Sequence, residues 1–367
     1  MKIALVHDHL VQDGGAEYVL KVLTELYPQA PIFTLAYDKR AVSDFFQNKK
    51  IITSFLQRLP FGVSRYQWWL SVMPAAIEHL DLSDYDLVIS SASSFAKGVI
   101  TKPGTLHICY CHTPTRYLWT DSHSYIQELS APGLIKRFLP LTLKKLRLWD
   151  RLAVERVDSF IANSETVRRR IKKYYQREST VMYPPVAVDD FYLSDRPKKY
   201  YLAGGRLVPY KRVDIAVKAF SRLGIPLKVF GVGPEMKRLR QMAKSNVQFL
   251  GKISDGYKKH LFAESIAYIN PQEEDFGITA VEAMAAGRPV IAYRAGGAIE
   301  TIIPGKTGEF FDEQTWEELA DMILRFKHQK YRPESIRAHA EQYSTDIFKR
   351  SMSELIAEYA ETLKSIK

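Results

Sequence analysis

The amino-acid sequence predicts an α/β protein built from two doubly wound parallel sheets of the Rossmann-like type, one in each half of the chain. Short apolar and β-branched runs alternate with longer segments of helical spacing, which is typical of βαβ units. The alternation is interrupted at Pro184 and Pro185 and then begins again. The chain has 367 residues, enough for two domains that each bury a core. We therefore expect two domains facing across a cleft.

The first half contains five apolar runs short enough to be strands buried on both faces. They occupy residues 2–6, 32–36, 87–91, 106–110 and 160–162. Helical spacing appears at residues 17–26 and 143–157. These elements predict an N-terminal domain of residues 1–190.

The second half repeats this pattern after a polar stretch that ends at Lys199. The predicted strands are residues 201–203, 227–230, 247–250, 267–270 and 289–292, and the predicted helices are residues 213–222, 235–244, 278–286 and 316–326. Because paired prolines disfavour helix, the break at residues 183–185 and the polar stretch of residues 194–199 favour an extended linker, and the domain boundary is placed there. A C-terminal domain of residues 196–344 follows. The helical stretch of residues 345–367 has no strand after it and is predicted to brace the two domains.

Composition excludes several classes of protein. The chain is 46% hydrophobic and 25% charged, close to globular norms, which excludes a disordered or collagen-like chain. We expect a strand to point its two cysteines, Cys109 and Cys111, to opposite faces, where they cannot form a disulfide. This favours a reducing, cytoplasmic compartment. With no export signal and no apolar run of about 18 residues, a membrane-spanning chain is not expected.

Residues that follow predicted strands are the candidates for chemistry, because ligands of open parallel sheets bind beyond the carboxyl ends of the strands. Gly14 and Gly15 follow the first strand and open a helix, where bare backbone N–H groups suit an anion. A tight turn without a ligand is the alternative. Arg206 and Lys211 follow the first strand of the second half, where two cations would neutralise a diphosphate. Their alternative is a solvated basic loop.

The most informative segment is residues 273–290, EEDFGITAVEAMAAGRPV. Glu274 follows a predicted strand, and Glu282 lies one to two turns into the next helix. Two such carboxylates can each bind vicinal hydroxyls, one pair on a sugar and one on a ribose. Glu282 is flanked by apolar residues, so its charge needs a partner. The alternative is a helix charge and an incidental salt bridge.

Five other motifs are less specific. The glycines at 296–297 predict a further helix start suited to an anion, whereas residues 231–236 lack the third glycine of the dinucleotide fingerprint, which disfavours a dehydrogenase. The DYD run at 84–86 imitates a metal-binding pair but precedes its strand. The runs at 7–9 and 109–112 lack the ligand spacing of a structural zinc site. We therefore predict no bound metal, and expect the histidines of 7–9 to line the cleft.

Taken in order, these residues resemble the retaining glycosyltransferases of family 4, whose two-domain architecture is called GT-B. The resemblance covers nearly the whole chain. The positions that carry it are Gly14, Gly15, Arg206, Lys211, Glu274 and Glu282. Residues 106–119, LHICYCHTPTRYLW, are further similar to the polysaccharide mannosyltransferase branch of that family.

The resemblance implies transfer of a sugar from a nucleotide diphosphate donor, with retention of anomeric configuration and with no metal or other cofactor. The C-terminal domain would bind most of the donor, and the N-terminal domain would bind the acceptor. Arg206 and Lys211 would neutralise the diphosphate, and Glu282 would bind the ribose hydroxyls. The departing phosphate can itself take the acceptor proton, so charge stabilisation matters more than a protein base.

The same resemblance implies further roles. Glu274 would hold donor sugar hydroxyls, Gly15 would approach the phosphates and acceptor, and His112 would contact the sugar near the reacting centre. Ile253 would meet the base through its backbone. The implied catalytic residues are His112, Arg206, Lys211 and Glu274. The implied donor-binding residues are Gly14, Gly15, Arg206, Lys211, Ile253, Glu274, Phe276, Gly277, Ile278 and Glu282.

Positive charge is concentrated in the first half of this chain, which carries a formal net charge of +11. The basic residues concerned are Lys136, Arg137, Lys144, Lys145, Arg147, Arg151 and Arg156, followed by residues 168–173. The apolar residues interleaved with them are Phe138, Leu139, Leu141, Leu146 and Trp149. This pattern fits an anionic membrane surface, with a solvated basic face as the alternative. No nucleic-acid module is present, so nucleic acid is not an expected partner.

The best-supported function is therefore mannosyl transfer from GDP-mannose to a lipid-linked saccharide at the cytoplasmic face of a membrane, in surface polysaccharide synthesis. Mannose follows from the branch resemblance alone. A transferase of the same family that uses UDP-glucose or UDP-N-acetylglucosamine is one alternative. A nucleotide-binding or membrane scaffold without catalysis and a sugar epimerase are the others.

Overall fold

The computed structural model describes residues 1–120, 122, 133–194 and 197–366. The linker residues Asp195 and Arg196 lie outside the described residues, as do the side chains of Lys136, Arg137 and Phe138 of the basic stretch. The chain divides into two compact units, Met1–Tyr183 and Pro184–Lys367. Each unit is described by itself below.

The described part of the first unit forms a seven-stranded parallel sheet with strand order β3-β2-β1-β4-β5-β6-β7. The strands are β1 Ile3–His7, β2 Ile32–Thr34, β3 Ile51–Thr53, β4 Leu87–Ala92, β5 Leu106–Cys111, β6 Ser159–Ala162 and β7 Thr180–Val181. The helices are α1 Gly15–Leu26, α2 Met73–Glu78, α3 Gly133–Ala153 and α4 Glu165–Arg170. The central strands β4 and β5 are buried along their whole length, as runs that pack against helices on both faces require.

The described part of the second unit forms a six-stranded parallel sheet with order β10-β9-β8-β11-β12-β13. Its strands are β8 Tyr201–Gly204, β9 Leu227–Phe230, β10 Val247–Gly251, β11 Tyr268–Asn270, β12 Val290–Tyr293 and β13 Gly308–Phe311. Its helices are α5 Val213–Leu223, α6 Met236–Met242, α7 Asp255–Glu264, α8 Ile278–Ala285, α9 Ala298–Thr301, α10 Trp316–Arg325, α11 Pro333–Ala340 and α12 Thr345–Ile366. The predicted fold class, two doubly wound parallel-sheet domains of the GT-B type, is confirmed.

The elements that sequence patterning missed are short or polar. Strands β3, β7 and β13 are three, two and four residues long, and β3 and β7 lie at the edges of the first sheet. Helix α7 has the sequence DGYKKHLFAE, whose apolar residues are too few to give a clear helical period. Helix α3 begins ten residues earlier than predicted, because Gly133–Ala153 continues through an internal Pro140.

One prediction about the cysteines is wrong. Cys109 and Cys111 lie two residues apart in β5, and side chains at i and i+2 of a strand share one face. Both thiols accordingly belong to the same buried cluster of the first unit. They are free thiols, as expected, although not for the reason of opposite orientation.

The strand orders place a topological switch point in each sheet. In the first sheet the chain runs outward from β1 to β3 and returns at β4, beside β1. In the second it runs outward from β8 to β10 and returns at β11, beside β8. The carboxyl ends of β1 and β4, and of β8 and β11, are therefore where ligands of this fold class bind.

Candidate active site

The switch point of the first sheet carries three connected polar side chains. His7 ends β1 and is in register with Ser91 of β4. The Ser91 hydroxyl lies 3.1 Å from His7 Nδ1 and 2.8 Å from Nε2 of His112, which directly follows β5. All three residues are buried. The predicted His112 thus lies at a strand end, as expected, and Ser91 is a member of the site that sequence reasoning missed.

Burial governs the charge state of His112. It lowers the pKa of His112 to about 4, with the neighbouring His7 acting in the same direction. The imidazole is therefore neutral at pH 7 and suited to exchange hydrogen bonds with hydroxyls rather than to pair with phosphate as a cation.

Asp8 has a structural task beside these histidines. Its carboxylate accepts three backbone hydrogen bonds, from the N–H groups of Ser93, Phe95 and Ala96, each at 2.7 Å. Although burial raises its pKa, His9, His7 and these N–H donors hold the pKa below its usual value. Asp8 thereby fixes the loop after β4, and the ring of His9 packs against Tyr66 at a centroid distance of 4.5 Å.

The glycine loop after β1 opens a helix, as predicted. Helix α1 begins at Gly15, with Gly14 in extended conformation at its N-cap. Glu17 in the first turn is 2% exposed, and its Oε1 lies 3.7 Å from His7 Nε2. A Cβ added at Gly14 would lie 3.2 Å from Glu17 Oε2, so the glycine leaves room for this carboxylate. Sequence patterning did not single out Glu17 as a site residue, because α1 also carries the charged residues Lys21 and Glu25 and nothing in the sequence shows which of them is buried.

The switch point of the second sheet brings together two predicted site residues that the sequence did not pair with each other. Lys211 follows β8 and Glu274 follows β11, and the Lys211 ammonium forms a salt bridge with Glu274 Oε1. Both side chains are about one-sixth exposed, at 15% and 16%. Glu274 Oε2 is buried without a hydrogen-bond partner in the described residues. Arg206 lies in the same loop as Lys211, where it donates to the Tyr210 hydroxyl at 2.8 Å.

Glu282 has the partner that its apolar flanks require. Its Oε1 accepts a hydrogen bond from the Lys258 ammonium of α7 at 2.8 Å. Lys258 was missed from sequence because α7 was not predicted. Ile253 lies in the loop between β10 and α7 and is partly buried, so it precedes the helix that carries Lys258.

Glycines let the loops of this second site approach one another. Gly296 has a φ of +58°, and a Cβ there would lie 2.1 Å from the carbonyl oxygen of Glu274. Gly297 donates its backbone N–H to the same oxygen at 2.8 Å. This N–H, predicted to suit an anion, is therefore used within the protein. Gly231 plays a similar part, since a Cβ there would lie 1.7 Å from the carbonyl oxygen of Gly205.

The remaining predicted donor residues lie at the start of α8. Gly277 is its N-cap at a φ of +94°, and Ile278 is its first residue. The Phe276 side chain is buried and packs edge-on against Tyr343 at 5.4 Å, so it is not available to a ligand. Residues 274–277 lie in the loop that joins β11 to α8.

The apolar residues exposed on the predicted basic surface are not the ones expected from the sequence. Leu139 and Leu146 are buried in the core, and Trp149 packs on Phe95 at 5.5 Å. Their apolar interleaving is therefore the core face of α3 and not a membrane-facing one. The exposed leucines of α3 are Leu141, Leu148 and Leu152, at 57% to 65% exposure.

The basic residues of this stretch also differ from one another. Lys144 and Lys145 are exposed. Arg147 donates to the carbonyl oxygen of Leu118 at 2.7 Å, and Arg156 forms a salt bridge with Glu78 at 2.6 Å. Part of the predicted positive surface thus holds the first unit together.

The described residues contain neither a candidate metal-binding cluster nor a helix that could span a membrane. Within residues 1–120, 122, 133–194 and 197–366, no three histidine, cysteine or carboxylate side chains are grouped so that they could hold a metal ion. Among the helices of the same residues, none combines the length and the apolar character needed to cross a bilayer.

The curated proteins that this chain resembles include mannosyltransferases. The chain is 24% identical over 250 residues to the alpha-1,3/1,6-mannosyltransferase of Dictyostelium discoideum, a match that covers 54% of this chain and 56% of the relative. It is 29% identical over 198 residues to the O-antigen chain mannosyltransferase RfbU of Salmonella typhimurium, covering 48% of this chain and 56% of the relative. The chain thus spans about half the length of these relatives.

Among solved structures, the chain resembles Anabaena HepE, crystallised in complex with UDP. The TM-score is 0.70 at 20% sequence identity, and the match covers 98% of this chain and 100% of HepE. This likeness concerns the fold.

Two family models together account for most of the sequence. Residues 14–190 match the model described as Glycosyltransferase Family 4, and residues 189–343 match the model described as Glycosyl transferases group 1. With an α/β fold of the GT-B type and mannosyltransferases among its relatives, the chain belongs to the glycosyltransferase family that these two models describe.

Proposed function

We propose that this protein is a retaining mannosyltransferase that moves mannose from GDP-mannose to a lipid-linked saccharide during surface polysaccharide synthesis. The Dictyostelium and Salmonella relatives are both named mannosyltransferases, which supports mannose as the sugar, and the O-antigen chain in the name of the Salmonella relative supports a polysaccharide product. The donor requires no metal in this proposal, because Arg206 and Lys211 supply the positive charge that a diphosphate needs.

The observation that carries the proposal is the Lys211–Glu274 salt bridge at the switch point between β8 and β11. A nucleotide-sugar donor has an anionic diphosphate next to a sugar ring that carries hydroxyl groups. The two halves of the ion pair match these two parts: the ammonium suits the phosphates, and the carboxylate suits vicinal hydroxyls. Glu274 Oε2, buried without a hydrogen bond in the described residues, is an acceptor that such hydroxyls would satisfy.

The remaining donor contacts are assigned by place in the fold. Glu282, with Lys258 beside it, takes the ribose hydroxyls, and the backbone after β10 at Ile253 meets the base. His112, neutral at pH 7, is assigned to a saccharide hydroxyl. As the bond to the anomeric carbon breaks, negative charge grows on the departing diphosphate, where Arg206 and Lys211 stabilise it. The leaving phosphate then takes the proton of the acceptor hydroxyl.

A UDP-sugar donor is the second candidate. HepE, whose fold this chain shares, was crystallised with UDP and with UDP-glucose. The side chains assigned above contact phosphates, ribose and sugar, which both donor types contain, so they do not separate guanine from uracil. The donor base is therefore the first quantity to measure.

Association with an anionic membrane surface is proposed for the exposed side of α3. Leu141, Leu148 and Leu152 are exposed there, beside the exposed Lys144 and Lys145. Apolar side chains that enter the interface and lysines that attract anionic headgroups are the two features such helices need. This placement would bring the enzyme to a lipid-linked acceptor.

The test is calorimetric titration of the purified protein with GDP-mannose, UDP-glucose, UDP-N-acetylglucosamine and GDP, each with EDTA present. We expect GDP-mannose and GDP to bind, and the UDP-sugars to bind at least about ten-fold more weakly, a difference of about 1.4 kcal/mol. Preference for a UDP-sugar would move the assignment to the second candidate. No binding of any donor would contradict catalysis and favour a scaffold.

Membrane association is tested separately, by flotation with vesicles that contain phosphatidylglycerol or only phosphatidylcholine. We expect binding to the anionic vesicles that weakens with salt and is reduced in Leu148→Asp. Lys218→Ala, which removes an exposed lysine of α5, is the matched control and should bind as the unchanged protein does. Equal binding of Leu148→Asp would contradict the assignment of α3.

A further inference from the structure

Four buried polar side chains form a connected network in the first unit. Glu17 Oε1 lies 3.7 Å from His7 Nε2, His7 Nδ1 lies 3.1 Å from the Ser91 hydroxyl, and that hydroxyl lies 2.8 Å from His112 Nε2. None of the four residues is more than 9% exposed. Because these side chains are buried from water, their hydrogen-bond donors and acceptors must be satisfied mainly within the protein.

The Ser91 hydroxyl couples the two histidines. It has one proton and lies between two imidazole nitrogens, so it donates to one of them and accepts from the other. In a neutral imidazole one nitrogen carries the hydrogen and the other accepts. The tautomer of His7 therefore determines the tautomer of His112.

Glu17 determines which atoms donate and which accept in the hydrogen bonds of this network. A carboxylate attracts an N–H and repels a nitrogen lone pair, so when the His7 ring carries a single hydrogen, that hydrogen lies on Nε2, which faces Glu17. Glu17 is ionised at neutral pH: burial raises its pKa, but the contact with His7 outweighs burial and the pKa lies below its usual value. His7 Nδ1 then accepts from Ser91, and the Ser91 oxygen accepts from His112 Nε2–H.

Two further ionisable side chains, Asp8 and His9, lie beside this network, and the Nδ1 of His9 is buried without a hydrogen-bond partner in the described residues. The Asp8 carboxylate accepts the three backbone N–H groups after β4, and the ring of His9 packs on Tyr66. In the described residues, the only hydrogen bond made by the ring of His112 is the one with Ser91. Its Nδ1 makes none there.

We propose that Glu17 is a positioning residue which, through His7 and Ser91, holds His112 as the Nε2–H tautomer and leaves Nδ1 as an acceptor for a saccharide hydroxyl. No covalent step is involved. The identity of the saccharide rests on the proposed function, whereas the tautomer depends only on contacts within the first unit.

The direct test is NMR of the ligand-free protein labelled with ¹⁵N-histidine, at pH 8, above the ordinary imidazole pKa of about 6.5. Couplings between ring nitrogens and carbon-bound hydrogens identify the protonated nitrogen, and His112→Asn assigns the signals. We expect His112 to be protonated at Nε2. Protonation at Nδ1 in the unchanged protein would overturn the proposal.

Two variants separate positioning from a structural role. Glu17→Leu removes the carboxylate without leaving a buried polar atom, and we expect His112 to become a mixture of tautomers. Glu17→Gln retains an acceptor oxygen and should restore Nε2–H. Ser91→Ala, a smaller change, should also give the mixture, so the proposal remains testable if Glu17→Leu does not fold. An unaltered His112 tautomer in Ser91→Ala or Glu17→Leu would overturn it.

Kinetics provide the second readout. In Glu17→Leu we expect kcat for sugar transfer to fall about ten-fold, the scale of one misplaced hydrogen bond, with donor KM changed by less than about two-fold. Glu17→Gln should recover most of kcat, and Glu25→Leu, at an exposed carboxylate of the same helix, should match the unchanged protein. A drop confined to KM would contradict positioning. Absence of donor binding alongside the expected NMR result would contradict the proposed function only.

Discussion

The two switch points of this protein solve the placement of polar groups in opposite ways. At the first, between β1 and β4, His7, Ser91 and His112 are buried and joined by hydrogen bonds. At the second, between β8 and β11, Lys211 and Glu274 are long charged side chains that retain partial exposure. A buried hydrogen-bonded network suits the recognition of hydroxyls, whereas a partly exposed ion pair suits a charged ligand that takes the place of one partner.

The difference shows how each site satisfies its polar groups in the absence of a ligand. Buried neutral groups are preorganised, because their alternative hydrogen bonds to water are absent. The Lys211–Glu274 and Lys258–Glu282 pairs instead hold opposite charges together within the protein, and under the proposed function the phosphates and hydroxyls of the donor would replace these partners. The predictions below test this contrast.

The largest effect is expected from Lys211→Ala. It removes the cation assigned to the departing diphosphate, so we expect kcat to fall roughly 100- to 1,000-fold, the usual result of deleting one donor of charge stabilisation. The measurement is steady-state transfer from GDP-mannose. Lys218→Ala, on the neighbouring α5, is the control. A loss of less than two-fold would remove Lys211 from the mechanism.

A smaller effect is expected from Glu282→Ala. A hydrogen bond to a charged group contributes about 1.5–3 kcal/mol, so donor affinity should weaken roughly 10- to 100-fold. Titration calorimetry with GDP alone is the appropriate measurement, since the ribose is present without the sugar. Glu317→Ala, at an exposed acid of α10, should bind GDP normally. Unchanged affinity in Glu282→Ala would assign the ribose to another residue.

The packing behind the second site is tested by a pair of glycine variants. Gly296 and Gly305 both have positive φ, but only at Gly296 would a Cβ meet backbone, 2.1 Å from the carbonyl oxygen of Glu274. Gly305→Ala should therefore cost about 1 kcal/mol of unfolding free energy for strain alone, and Gly296→Ala about 2–3 kcal/mol. Thermal unfolding measures both. Gly296→Ala should also weaken GDP-mannose binding, and equal effects of the two variants would contradict the packing role.

The last effect concerns pH and the buried histidines of the first unit. Burial lowers the pKa of both His112 and His107 to about 4, below the unfolded value of about 6.5. The unfolded chain therefore binds more protons between these values, so the free energy of unfolding falls as pH drops from about 6.5 to 4, by up to about 1.4 kcal/mol per pH unit for each histidine. Urea unfolding at pH 7.5, 6 and 5 measures this slope. His112→Asn should reduce it, and an unchanged slope would mean that His112 is not buried as a neutral group.

Much of the fold could be predicted from sequence because it depends on local patterns. The buried strands around 87–91 and 227–230 are continuous apolar runs, and their positions in the structure differ by no more than one residue. Edge strands such as β7, with two residues, carry too little pattern to detect. The polar α7 was missed for the same reason, and Lys258 with it.

The sequence by itself determined the two parallel sheets, the glycine loop that opens α1, and the places of His112, Lys211 and Glu274 after strands, because strand ends follow from hydrophobic periodicity. Only the tertiary structure decided which side chains meet. It paired Glu282 with Lys258, buried Leu146 in the core with Trp149 packed against it, and joined Glu17 to His112 through His7 and Ser91. The physical reason is that contacts between residues far apart in the chain depend on strand order and register, which periodicity does not encode.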